Sequence, residues 1–235
     1  MAKYIETLRF SLKSLADPVE KERMTKYMKN NFEFYGVRMP KVKETLNNHI
    51  KSEGLPSSFA ELDQIIRIAW TFPEREMQYS GMYLMDKSRT IWNNDFVVLE
   101  ELFAFMISNK SWWDTVDFIS SSLVFHWWKL APDLIDQNVA PKWNLSDNFW
   151  LNRTSIIYQL RKKTDTNTQI LSDHILRHCH SKEFFVQKAI GWSLREYAKI
   201  NTNWVLDFVK QNELKPLSKR EALKQIKAGR IRKPW

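Results

Sequence analysis

Ser111-Trp112-Trp113-Asp114-Thr115-Val116-Asp117 stands near the middle of a 235-residue chain, just before a run of apolar and aromatic residues. It holds neither Gly nor Pro, and residues four apart share a helix face, so a helix here points Trp113 and Asp117 the same way. A flat aromatic beside a carboxylate has the makings of a reaction site. For an isolated Trp-x-x-x-Asp pair, a buried indole next to a solvated acid is the simpler reading. The pattern that contains the heptapeptide changes that balance.

Arg75-Glu76, Trp112-Trp113, Phe149-Trp150, Phe184-Phe185 and Lys219-Arg220 each open a similar amphipathic stretch, and their second members are 37, 37, 35 and 35 residues apart. A period of that length with two helices per unit predicts an α-solenoid of HEAT-like repeats, antiparallel helix pairs that bury their apolar faces against each other. Three positions beyond each second member stand Tyr79, Val116, Arg153, Lys188 and Leu223; four beyond stand Ser80, Asp117, Thr154, Ala189 and Lys224. Cations at equivalent points, here Arg153 and Lys188, suit a surface that follows a phosphate backbone.

The rest of the chain agrees with an all-α fold. Only five glycines occur, helical periodicity recurs from end to end, and no alternating run is long enough for a sheet. Residues 4–15 form an amphipathic stripe ended by Asp17-Pro18, which opens a second helix to about Lys29. An aromatic connection, 32–37, leads to a helix begun by Met39-Pro40. Gly54-Leu55-Pro56-Ser57-Ser58 stops that helix and caps the next, over 59–72. Pro73-Glu74-Arg75-Glu76 opens another, its acids suited to the macrodipole. Asn93-Asn94-Asp95 is expected to cap a helix reaching Ile107, with further joints at Pro132, Pro141, Ser146-Asp147-Asn148, 164–168, Ser181-Lys182-Glu183 and Pro216-Leu217-Ser218. Residues 1–228 are expected to be a single domain and 229–235 a basic C-terminal tail.

The formal charge is +9, and residues 215–235 hold eight Lys or Arg against one Glu, which is +7 of it. That excess favours a polyanionic partner, nucleic acid first. Eleven Trp add faces on which bases or sugars can stack, although most are expected in the core. The single cysteine, Cys179, rules out an intramolecular disulfide and suits a reducing compartment. Neither a signal peptide nor a membrane span is expected, so the chain reads as soluble and cytoplasmic.

Ser111 to Asp117, the run Ser146-Asp147-Asn148-Phe149-Trp150-Leu151-Asn152-Arg153 and residues 181–199 together resemble the AlkD family of DNA alkylation-repair glycosylases, as do 212–222 and Lys26-Tyr27-Met28-Lys29-Asn30. The resemblance runs from about Met24 to about Ile226. It implies a HEAT-like solenoid whose concave basic face holds duplex DNA and which excises cationic alkylpurines, chiefly 3-methyladenine and 7-methylguanine, without flipping the lesion out of the stack. It assigns Trp113, Asp117 and Trp192 to the catalytic positions, Arg153 to a phosphate and Tyr27 to the neighbourhood of the DNA. Lys188, Arg38, Lys219 and Arg220 complete the expected DNA-binding set. Arg38 replaces an expected Gln, Thr154-Ser155 is more polar than the family pattern, and Phe125-His126-Trp127-Trp128-Lys129 is more aromatic.

The chemistry of these residue types agrees. Alkylation at N3 or N7 makes the purine cationic, so the base leaves neutral and needs no protonation. The enzyme has to stabilise positive charge developing at C1′ and direct a water to it. An ionised Asp117 does both. Trp113 and Trp192 offer π faces to the cationic sugar, worth about 0.5 to 2 kcal/mol each, and Arg153 and Lys188 would hold flanking phosphates. No lysine reads as a Schiff-base nucleophile, so a monofunctional enzyme is expected.

Asp173, His174, His178, Cys179 and His180 have metal-like spacing, but no second cluster accompanies them, and ordinary polar packing is the expected use. Asp114 is expected to be structural. Neither a metal nor a cofactor is expected. The expected partner is alkylated duplex DNA, with no membrane, no obligatory protein partner and a monomeric state. The alternative is a non-catalytic solenoid that binds DNA or protein.

Overall fold

The computed structural model describes residues 2–92 and 96–229. It is all-α, with stacked helix pairs of the α-solenoid kind and no strand among the described residues beyond an isolated bridge between Glu33 and Glu74. The expected Asn93-Asn94-Asp95 cap and all of the 229–235 tail but Gly229 lie outside the described residues. The chain divides into two compact units, Met1–Lys110 and Ser111–Trp235.

The first unit contains α1 (Ala2–Lys13), α2 (Pro18–Tyr27), α3 (Met39–Glu53), α4 (Phe59–Thr71), α5 (Arg75–Lys87) and α6 (Phe96–Ser108). α1 packs on α3 and α4, and α5 packs on both of those helices. The anticipated caps form: the Asp17 carboxylate accepts from the amides of Val19 and Glu20, and Ser58 Oγ accepts from Glu61 N while the Glu61 carboxylate accepts from Ser57 N. α2 ends at Tyr27, two residues short of expectation, because Lys29 and Asn30 turn left-handed at φ 55° and 60°.

A larger difference concerns Glu76. Instead of lying in solvent near a helix N-terminus, it is fully buried, and its carboxylate accepts the amides of Tyr35, Gly36 and Val37 at 3.1, 2.9 and 3.0 Å. It therefore fixes the 32–37 connection. Gly36 has φ +94°, and a Cβ there would come within 2.1 Å of Asp17 O, so only glycine lets the connection pass this close.

The second unit contains α7 (Trp113–Phe118), α8 (Phe125–Leu130), α9 (Pro132–Leu134), α10 (Ala140–Asn144), α11 (Phe149–Ile157), α12 (Thr168–Arg177), α13 (Phe184–Tyr197), α14 (Thr202–Gln211) and α15 (Pro216–Lys227). α7 and α8 are joined by a π-helical stretch, Ile119–Val124, and α9 and α10 by another, Ile135–Val139. α11 packs on α10 and α13, and α13 on α15, around Ile156, Ile175, Ile190, Leu194, Val205 and Ala222. The helices expected at 75, 112, 149 and 184 start within one residue of those positions. The last begins three residues before the Lys219-Arg220 pair, with Pro216 in its first turn.

The polar step at Thr154-Ser155 is matched by its surroundings. Ser120 Oγ donates to Thr154 Oγ1 at 2.9 Å, and Asn144 Nδ2 donates to Ser155 Oγ at 2.9 Å. Close by, Lys162 is buried with its ammonium 2.8 and 3.0 Å from the Asp136 oxygens and 4.0 Å from the Trp128 ring centre. Tyr158 and Trp128 also donate to Asp136. The aromatic excess at 125–129 thus helps to enclose a buried ion pair.

Candidate active site

Three helices of the second unit supply the site. Their N-terminal aromatic pairs meet: Trp112 lies 5.0 Å from Phe185 and 6.1 Å from Trp150, and Trp150 lies 4.8 Å from Phe185, centre to centre. This contact sets α7, α11 and α13 side by side, so side chains one turn further along converge. Trp113, Asp117, Arg153, Phe184, Phe185, Lys188, Trp192 and Arg195 line a cleft of about 290 Å³.

At its base, Arg153 grips Asp117 in a two-pronged contact, Nε to Oδ1 at 2.7 Å and Nη2 to Oδ2 at 2.9 Å, while Nη1 donates to Phe185 O. Arg153 is 4 % exposed and the Asp117 side chain 21 %. Burial pushes the Asp117 carboxyl above the usual aspartate value; the Arg153 guanidinium opposes that rise and Asp114 adds to it. Arg153 is thus a fixed cation that favours the ionised form of Asp117 against its burial, and part of the Asp117 surface is open to the cleft.

The structure brings Trp113, Asp117, Trp192, Arg153 and Lys188 together. Arg153, expected on a phosphate, instead has three nitrogens engaged inside the unit, because α11 packs it directly over the α7 carboxylate. Lys188 is 37 % exposed and sits 3.1 Å from Glu221 Oε1. Lys219 and Arg220 are exposed on α15 and form no ion pair among the described residues. In the first unit, Tyr27 is 70 % exposed at the end of α2, and Arg38 makes a two-pronged contact with Glu20 at 2.8 and 2.8 Å.

Sequence reasoning did not single out Phe184, Phe185 or Arg195 as site residues. The first two were visible as a repeat-start pair; Arg195, three residues after Trp192, carried no signal of its own. The histidine cluster is engaged otherwise: His174 donates from Nδ1 to Ser155 O at 2.9 Å and His178 from Nε2 to Asn144 O at 2.9 Å. Burial lowers the pKa of both rings.

The fold and cleft define a class of all-α protein in which paired helices present an acid flanked by indoles. A family model for DNA alkylation repair enzymes matches residues 8–226, across both units, and the chain belongs to that family. It is also similar to a solved structure described as a predicted DNA alkylation repair enzyme from Enterococcus faecalis, with 31 % identity, a TM-score of 0.81 and coverage of 89 % of this chain and 95 % of that one. Comparison with curated proteins gives no match. No helix among the described residues is long and apolar enough to cross a membrane.

Proposed function

We propose that this member of the family is a monofunctional DNA glycosylase that hydrolyses the N-glycosidic bond of cationic alkylpurines, 3-methyladenine and 7-methylguanine, in duplex DNA without flipping the base. The observation that carries the reading is the Arg153-held Asp117 carboxylate in a cleft with Trp113 and Trp192 on its walls. As the C1′–N bond breaks, its electron pair leaves with the base, which becomes neutral. The sugar cation is stabilised by Asp117 and by the two indole faces. Water adds to C1′ and gives its proton to Asp117, which then releases it to solvent.

Arg153 acts through Asp117, fixing both oxygens, and only secondarily on DNA. Lys188, Lys219 and Arg220 are proposed phosphate contacts, and Tyr27 and Arg38 are proposed contacts from the first unit. A cytoplasmic, nucleoid-associated monomer needing no cofactor and no protein partner completes the proposal.

The test is a duplex oligonucleotide carrying one 7-methylguanine. The expected products are free base and an intact strand bearing an abasic site. Asp117→Asn is expected to slow release about 100-fold or more while leaving DNA binding intact or tighter. Strand cleavage without heat or base would refute a monofunctional mechanism. Absence of free base would favour the non-catalytic binding solenoid.

A further inference from the structure

Glu221 of α15 is 8 % exposed, yet its carboxylate contacts two cations of the neighbouring helix, with Oε1 3.1 Å from Lys188 Nζ and Oε2 2.7 Å from Arg195 Nη1. Both cations line the Asp117 cleft. They also border a second hollow of about 420 Å³, shared with Glu221, Lys224, Gln225 and Ala228. Burial alone would raise the Glu221 carboxyl, but Lys188 and Arg195 outweigh it and hold the group below the usual glutamate range.

Gly191 makes the arrangement possible. It lies three residues after Lys188 and four before Arg195, on the same face of α13. A Cβ at this position would lie 2.4 Å from Glu221 Cβ and 2.9 Å from Ser218 O, so α15 rests against bare backbone. Ser218 Oγ also donates to Gln187 O at 2.9 Å, tying the start of α15 to α13. A mid-helix glycine is less favourable than alanine; what it provides is the close approach that places one acid between two bases.

We infer that Glu221 is a positioning residue of this site, holding Lys188 and Arg195 in one arrangement at the mouth of the Asp117 cleft and leaving a single net positive charge between them. Lysine and arginine are long side chains with much rotamer entropy to lose on being held in one arrangement. Prior pairing removes that freedom before a phosphodiester arrives, so the strand meets cations already in register with Asp117. The inference rests on the glycosylase reading of the cleft.

Glu221→Gln and Glu221→Asp test it by two readouts: the salt dependence of binding to undamaged duplex, and single-turnover release of 7-methylguanine. In the Gln variant, binding is expected to tighten and the log–log salt slope to steepen by about one unit as a freed cation reaches a phosphate. Release should nevertheless slow tenfold or more. The Asp variant keeps the negative charge beside the two cations but is too short to touch both, so its slope should lie between those of wild type and the Gln variant while release slows. A Gln variant with unchanged slope and rate overturns the inference, as does one whose rate and affinity fall together in step with lost folded protein. Should the Gln variant not fold, the Asp variant decides, and a full wild-type rate there overturns the inference. If wild-type protein releases no base, the glycosylase reading fails by itself; the slopes then decide on Glu221, an unchanged slope overturning its role.

Discussion

Replacing Arg153 with Met separates a cation that serves Asp117 from one that serves DNA. The side chain is 4 % exposed and makes both of its carboxylate contacts at 2.9 Å or less, so its loss strands Asp117 without its cation. Breaking a buried pair from one side costs about 3 to 5 kcal/mol. Asp117 retains some solvent, which places the expected loss near the lower figure, about 3 kcal/mol in urea unfolding. The pH dependence is more diagnostic. Of the influences on Asp117, burial and Asp114 raise its pKa and Arg153 lowers it. Without the guanidinium the carboxyl therefore titrates at higher pH, and because catalysis needs the ionised form, the acid limb of the excision profile should move upward. Single-turnover release of 7-methylguanine between about pH 5.5 and 8 reads this directly, with a larger deficit at the acid end. The DNA-binding salt slope should change little, since the charge is neutralised within the protein. An unmoved acid limb together with a slope flattened by about one unit would place Arg153 on a phosphate and refute the argument.

Other consequences follow from buried charges. Glu76→Ala should destabilise the first unit by roughly 3 kcal/mol, because the Tyr35, Gly36 and Val37 amides lose their acceptor. Glu76→Gln, which keeps one acceptor oxygen, should cost less, and equal stability of all three proteins in urea would contradict the loop-anchor role. Burial lowers the Lys162 pKa to about 8, while the same group in the unfolded chain titrates near 10.5. Between those values the unfolded state binds the extra proton, so this group makes stability rise with pH from about 8 to 10. Above that range Tyr158, whose pKa burial pushes up, works in the opposite direction. Lys162→Met should abolish the rise, and a wild-type profile that is flat or falling from pH 8 to 10 would remove Lys162 as its source.

What could be read from the sequence follows what a helix reports about itself. Aromatic pairs at a near-constant period mark the starts of α7, α11 and α13, since those rings are the contacts that stack one helix on the next, while α5 shares the period with an Arg75-Glu76 pair in their place. Trp113 and Asp117 were legible because a four-residue spacing fixes a shared face. Partners across helices were not. Arg153 stood out as a cation in a repeat column, but its contact with Asp117 depends on how α7 and α11 pack, which spacing within either helix does not encode. Glu221 entered only the charge count, as the one acid among the basic residues of 215–235, and Glu76 was a complement to a helix dipole. The π-helical Ile119–Val124 stretch and the division at Lys110 carried no marker in composition.

The same distinction bears on charge. A sequence counts cations, whereas a polyanion gains most from those whose charge no carboxylate of the protein already offsets. In the second unit, Arg153 is paired to Asp117, Lys162 to Asp136, and Lys188 and Arg195 share Glu221. Lys219 and Arg220, at the start of α15, remain exposed outside such pairs. Long-range attraction to DNA follows the summed charge, but the steepness of its salt dependence follows the phosphates contacted. Substituting Lys219 and Arg220 should therefore flatten that dependence more than substituting the better aligned but paired Arg153, and this ordering is opposite to the one that repeat position alone suggests.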